Sequence, residues 1–254
     1  CVYDDEDIVE VRRLKPTPEP GRPDKQSSRS SWHRAADLHQ HADAFARDNA
    51  SGWNLYAGAN ARKSIGTRGV SKKECTPERR CGKASCCVKH ARCLFAEWDS
   101  AEGTLEMIAS KGLPIPTLTL FSGRGIHCYW RLSEPIDPET WRNYTRGLIQ
   151  LFGGTSDRTI KDPARVMRLP GFRNHARDSE TYILDADPTR VYELVDLADV
   201  IPDPDEGKPA PVAPMNGTRT HATLEAVKRA AAWIAKRPGA IEGQGGDTFT
   251  FATA

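Results

Sequence analysis

The sequence predicts an α+β domain, and three stretches predict it. Leu94-Phe95-Ala96-Glu97-Trp98-Asp99 reads as a buried strand that ends in two acids. Residues 116–121 and 126–132 flank the tight turn Ser122-Gly123-Arg124-Gly125 as an antiparallel hairpin. Residues 137–152 carry an apolar stripe at helical spacing. Side chains alternate along a strand, so Glu97 and Asp99 share one face, about 7 Å apart by the rise per residue, and Trp98 takes the other. Two carboxylates so placed make a seat for a divalent metal, although solvated acids at a strand end look the same in sequence.

The totals bound the classes. The chain has 254 residues, room for one large domain or one domain and part of another. Hydrophobic residues make up 38% and charged residues 28%, as in a soluble globular protein. No apolar run approaches the ~18 residues that span a bilayer, and no basic-then-apolar leader is present. No membrane partner is therefore expected. The first residue is Cys1, not Met, so a fragment boundary is expected there and a targeting segment upstream stays open. Net charge is only +2, but residues 61–92 concentrate Arg62, Lys63, Arg68, Lys72, Lys73, Arg79, Arg80, Lys83, Lys89 and Arg92 against Glu74 and Glu78. Such a zone tracks a phosphate backbone or simply lines a solvated loop.

In chain order, residues 7–14 alternate as a strand, and the Pro/Ser/Gly/Arg stretch 16–31 reads as an exposed loop. Residues 32–49 carry Trp32, Ala35, Leu38, Ala42 and Phe45 near helical spacing. Residues 53–57 form a strand that runs into the turn Gly58-Ala59-Asn60-Ala61-Arg62. Cys75, Cys81, Cys86 and His90 then offer three thiolates and an imidazole, a set that suits tetrahedral zinc, with Cys87 or Cys93 as substitutes. Zinc there would staple a loop with no core of its own; reduced structural cysteines or, less readily without a secretory signal, disulfides are the alternatives.

After the acidic strand, Thr104 to Ser110 begins a helix that stops at Lys111-Gly112-Leu113-Pro114. In the hairpin's second strand His127, Tyr129 and Arg131 share one face, and Ile126, Cys128, Trp130 and Leu132 share the core face. Asp137-Pro138 opens the next helix as cap and first-turn proline, and Gly153-Gly154 ends it. Asp157 and Asp162 lead into Ala164-Arg165-Val166-Met167-Arg168, followed by a strand at 182–184 and a short helix at 191–200. Residues 1–200 thus read as one domain, 201–218 as a Pro-rich linker, and 219–254, with a helix at 222–237, as the start of a truncated helical domain.

The order of acids on a strand, a Ser-Gly-x-Gly-x-His hairpin and an acid before an Arg-rich turn resembles the archaeo-eukaryotic primase superfamily. It resembles most the primase-polymerase domains of plasmids, phages and other mobile elements. "SGRGIHCYWRL" and "DRTIKDPARVMRLPGFRNH" carry the resemblance, with "GANAR" at 58–62 and the tail "GAIEGQGGDTFTF" beside them. Glu97 departs from the Asp of many relatives, and the Cys/His insertion is not uniform in the family.

The resemblance implies two small β-sheet units facing a metal cleft, and template-directed primer synthesis and extension from nucleoside triphosphates. Glu97, Asp99 and Asp157 would hold Mg²⁺ or Mn²⁺, with Asp162 as the rival third ligand or as the group that orients Arg165. Ser122, Arg124, His127, Arg165 and Arg168 would bind nucleotide, and Asn60 and Arg62 nucleic acid. Single-stranded DNA template and primer, a helicase or helical domain to the C-terminal side, and a cytoplasmic location follow from the same likeness. A non-catalytic DNA-binding module and a metal-dependent nuclease are the rival readings.

Overall fold

The computed structural model describes residues 2–19, 22–67, 69–102 and 104–204. The linker beyond residue 204 and the helix expected at 222–237 lie outside the described residues.

Residues Ile8–Glu19 (β1) and Arg22–Arg34 (β2) form a long antiparallel hairpin. This corrects the loop expected at 16–31. Prolines signalled a loop, yet the backbone ladder passes them by shifting register between Leu14 and Pro18 and again before Glu19. Trp32 consequently sits in β2, and the helix expected from 32 starts later, as a 3₁₀ turn over Ala35–His41 and then Ala42–Ala50 (α1). Asn54–Gly58 (β3) and Ala61–Arg62 (β4) follow, then a long loop, then Val88–Trp98 (β5) and Thr104–Ser110 (α2). Leu118–Phe121 (β6) and Ile126–Ile136 (β7) are the expected hairpin.

Pro138–Leu151 (α3) is capped by Asp137, whose carboxylate accepts from the Glu139 and Thr140 N–H groups at 2.8 and 3.1 Å. Short elements complete the chain: Val166–Arg168 (β8), Arg173–Asn174 (β9), Ser179–Glu180 (β10), Tyr182–Ala186 (β11), Val191–Tyr192 (β12) and Leu194–Ala198 (α4).

The strands run in the order β11-β6-β7-β5-β4-β1-β3-β8, with β2 on β1 and β12 parallel to β7; β9 and β10 pair separately. The path falls into two halves joined where β4 meets β5, through Ala61 opposite His90 and Arg62 opposite Val88. The larger core lies against the second half, because that is where the apolar runs are. Leu94, Trp130, Trp141 and Leu148 are fully buried, and Phe95 stacks on Trp141 at 5.3 Å between centroids. Each such side chain contributes about 1.5–3 kcal/mol by leaving water. The first half has a smaller core of Val11, Phe45 and Leu55.

A buried ion group supplements that smaller core. Arg62 donates to Glu10 at 2.9 Å, and neither side chain is exposed to solvent. Glu10 also receives Arg12 and the Ser30 hydroxyl. Among the described residues, no helix is long and apolar enough to cross a membrane.

Candidate active site

A polar cleft of about 260 Å³ lies between the two halves. Tyr56 of β3 and Val166, Met167 and Arg168 of β8 line it from the first half. Glu97, Asp99, Ser122, Arg124 and His127 line it from the second.

Strand register explains the meeting of acid and imidazole. Glu97 of β5 lies opposite His127 of β7, and His127 Nε2 stands 3.5 Å from Glu97 Oε1. His127 is buried, and its Nδ1 has no hydrogen-bond partner among the described residues. Asp99 departs from the expected picture. β5 ends at Trp98, so Asp99 stands one residue past the ladder, exposed, on the same cleft.

Asp157 is brought in by its backbone and by Arg165. Its N–H donates to the Glu97 carbonyl at 2.8 Å. Arg165 Nη2 donates to Asp157 Oδ2 at 2.8 Å and stands 3.5 Å from Glu97 Oε2. Asp162 is occupied elsewhere, accepting from the Ser85 hydroxyl at 2.6 Å and the Ala164 N–H at 2.9 Å. Arg168 donates to the Tyr56 hydroxyl at 2.8 Å, with its guanidinium 4.7 Å above that ring. Burial pulls the Arg168 pKa down, and Tyr56 and Glu97 only partly offset it.

The turn between β6 and β7 is set by backbone contact. The Ser122 N–H donates to the Gly125 carbonyl at 2.9 Å, closing the turn, and Gly123 has φ +92°, which favours glycine. A Cβ on residue 125 would lie 1.7 Å from the Trp98 carbonyl oxygen and 2.9 Å from the Asp99 carbonyl carbon. Both are backbone atoms, so no rotamer change relieves the clash. Gly125→Ala is therefore expected to destabilise the fold by about 1–3 kcal/mol while displacing Asp99. Denaturant unfolding measures it, and a change below ~0.5 kcal/mol, the size of an ordinary surface substitution, would contradict the contact.

Electrostatics sets the charge of Glu97. Burial pushes its carboxyl up, but His127 and Arg165 outweigh burial and bring it below the usual carboxylate range. A carboxyl lowered in the folded state adds stability that is complete above the unfolded value, about 4.3, and lost as pH falls through the lowered one. The parent is therefore expected to melt above Glu97→Gln at neutral pH, with the gap closing on acidification. A gap that widened below about pH 4 would reverse the sign and sink the assignment.

Several expected ligands lie elsewhere. Asn60 and Arg62 are both buried, Asn60 donating to the Pro163 carbonyl and Arg62 to Glu10 and the Ala164 carbonyl, so neither is presented to a nucleic acid. They shape the cleft from behind by holding the segment that leads to Arg165. His90 belongs to β5 and pairs with Asp7 at 2.9 Å, away from the thiols, and Cys93 is sealed in the main core, where burial pushes its thiol up to about 12. Cys75, Cys81, Cys86 and Cys87 do come together, with the sulfurs of Cys75, Cys86 and Cys87 all within 4.8 Å of one another. Of the basic zone, Lys63, Lys72, Lys73, Arg79 and Lys89 are exposed, whereas Arg92 is paired with Asp4 and Asp7.

Sequence reasoning missed Tyr56, Asn174 and Arg177, which also line the cleft. Asn174 is buried and donates to the Ser122 carbonyl at 2.9 Å, and its side chain fills the space that a Cβ on Gly123 would need. Its neighbours are held in turn by Asn49, which bonds both backbone groups of Arg173, and by Asn54, which accepts from the His175 N–H. The signal was the Asn-His pair at the end of the Arg-rich segment.

By chemistry the donors suit a divalent cation, since Glu97, Asp99 and Asp157 offer hard oxygen ligands. Among the described residues their carboxylates do not gather within 4.8 Å of one another, and the Arg165 guanidinium stands between Glu97 and Asp157.

No protein-family model matches the sequence, and no curated protein matches it. Solved structures do. The AEP domain of the Cyanophage S-2L Primase-Polymerase is similar over 79% of this chain and 91% of its own, with TM-score 0.57 and 23% identity. Primase RepB' is similar over 91% of this chain and 61% of its own, with TM-score 0.53 and 12% identity. The catalytic domain of primase RepB' in complex with initiator DNA is similar over 76% and 85%, with TM-score 0.52 and 14% identity. At these identities the likeness is one of fold, and the fold of this chain is that of the archaeo-eukaryotic primase and primase-polymerase domains.

Proposed function

We infer that this chain is a DNA-directed nucleotidyltransferase, a primase-polymerase that starts a short primer on single-stranded DNA and extends it from nucleoside triphosphates. The observation that carries the reading is the convergence of acids, one buried histidine and arginines on a single polar cleft. Glu97, Asp99 and Asp157 would hold Mg²⁺ or Mn²⁺, with Asp157 preferred to Asp162 because Arg165 links it to Glu97; Thr159 engages the Asp157 carboxylate much as Ser85 engages that of Asp162. Divalent metal there supplies activation of the primer hydroxyl and charge neutralisation on the triphosphate.

The protein's own groups do the rest. His127, whose Nδ1 has no partner among the described residues, contacts phosphate oxygens of the incoming nucleotide. Arg124, exposed at the turn, and Arg168, held on Tyr56, neutralise triphosphate or template phosphate. Arg165 joins them once it leaves the carboxylates, and Ser122 fixes the turn beside them. A helicase or helical domain to the C-terminal side is the expected partner in replication.

The test is synthesis on single-stranded DNA with Mg²⁺ or Mn²⁺ and labelled nucleotides, with and without a primer. Extension products establish a polymerase, and products without primer a primase. Shortening of the DNA without nucleotides identifies a nuclease instead. DNA binding with neither reaction leaves a binding module, and either result overturns the reading.

A further inference from the structure

Between β4 and β5 the described residues 63–67 and 69–87 form no α-helix or strand, and their apolar packing is small. Its apolar cluster is Val70, Cys81 and Cys87 with Cys75 and Ala84 packed on it. Three of those five are thiols. The loop also closes through the Lys63 N–H to the Cys87 carbonyl, the Thr67 N–H to the Arg80 carbonyl and the Arg80 guanidinium to the Cys86 carbonyl, and it docks on Trp32, whose indole donates to the Gly82 carbonyl.

The sulfurs of Cys75, Cys86 and Cys87 are spaced as ligands on one ion, and Cys81 adjoins them through Cys87. Cys75 Sγ lies 3.4 Å from Cys86 Sγ and 3.3 Å from Cys87 Sγ, and Cys81 Sγ lies 3.9 Å from Cys87 Sγ. Tetrahedral zinc with bonds of about 2.3 Å separates its sulfurs by about 3.8 Å. A disulfide would bring a pair to about 2.05 Å. Backbone N–H groups point at two of the sulfurs, from Cys81 to Cys75 Sγ and from Lys83 to Cys81 Sγ, both at 3.3 Å, as suits thiolates. The loop itself carries the positive charges of Lys72, Lys73, Arg79, Arg80 and Lys83.

The geometry points to a structural zinc site formed by the thiolates of Cys75, Cys81, Cys86 and Cys87, with no part for His90. All four positions are protein ligands, so the ion staples the loop and takes no substrate. Through Ser85, the residue before two of the ligands, the staple reaches Asp162 at 2.6 Å and the turn that leads to Arg165. The assignment is independent of the carboxylate cleft.

The full chain, prepared under reducing conditions, is expected to retain about one zinc per molecule after gel filtration. Cobalt substituted for zinc should give the absorption of a tetrahedral site, with thiolate-to-metal bands as strong as four sulfurs give. Cys87→Ser or Cys81→Ser should weaken zinc retention more than about a hundredfold, beyond the loss typical of an outer-sphere change, whereas His90→Gln should keep it. Should the cysteine variants fail to fold, the cobalt spectrum of the unsubstituted chain still counts the sulfurs. A parent that holds no zinc, a three-sulfur spectrum with metal loss in His90→Gln, or disulfides among these cysteines in anaerobically prepared protein would each overturn the assignment.

Discussion

Glu97→Ala/Asp99→Ala is expected to lower synthesis on single-stranded DNA by about a thousandfold or more, a barrier increase of roughly 4 kcal/mol. The two residues supply carboxylates to the cleft from a strand end and from the residue just past it, and their loss leaves Asp157, which Arg165 links to Glu97, as the remaining acid of the three. On the proposed function a single remaining carboxylate is a poor seat for a divalent cation, so the loss should fall on kcat and kcat/KM together. Glu97→Gln separates charge from shape: it fills the same space beside His127 and should lose nearly as much. DNA binding and far-ultraviolet circular dichroism should stay at parent levels, because the arginines of the cleft and the main core are untouched. Synthesis by the double variant within fivefold of the parent would refute a catalytic role for these acids. Asp157→Ala should be comparably inactive and Asp162→Ala much less so; the reverse order would transfer the third ligand to Asp162.

Glu10→Ala is expected to cost about 3–5 kcal/mol of stability, the usual result of removing one partner from a buried ion pair. Arg62 is fully buried and would keep one bond, to the Ala164 carbonyl at 3.0 Å, leaving an uncompensated cation in the interior. Arg62→Ala should cost less, because Glu10 keeps Arg12 and Ser30. For a folded unit of about 200 residues, each kcal/mol lowers Tm by roughly 2–4 °C, so Glu10→Ala should melt on the order of 10 °C below the parent. Replacing both residues by methionine should restore much of the loss, since the penalty comes from the unpaired charge. If Arg62→Ala weakened DNA binding and left Tm unchanged, Arg62 would be a nucleic-acid ligand after all.

The parts that sequence shows best are those whose signal is local. The acidic strand, the glycine turn and α3 stand where apolar spacing, turn glycines and the Asp137-Pro138 cap put them. The β1–β2 hairpin was hidden because its pairing is a property of two distant backbones and its composition is that of a loop. His90 illustrates the limit of counting. With three residues between it and Cys86, a histidine looks like a ligand, but Val88 starts an extended strand, which carries residue 90 about 7 Å beyond Val88 along its own axis. Asn60 and Arg62 were expected to meet nucleic acid, and nothing in a linear motif says that their side chains point inward to Pro163 and Glu10. Asn174 acts on the turn from fifty-two residues away, a separation across which no periodicity speaks.

The junction of the two halves has a mechanical meaning. At one end of the cleft β4 and β5 share a ladder that also carries the buried Arg62. At the other, Asn174 grips the Ser122 carbonyl while Asn49 and Asn54 fasten its neighbours to α1 and β3. The walls are therefore not jaws. Bringing them together or apart means breaking a ladder or stripping a buried amide of its partner, each a cost of about 1–3 kcal/mol per group. The gauge of the cleft is preset by the backbone, and accommodation of a guest falls to the movable guanidinium groups of Arg165 and Arg168, which now rest on Asp157 and Tyr56.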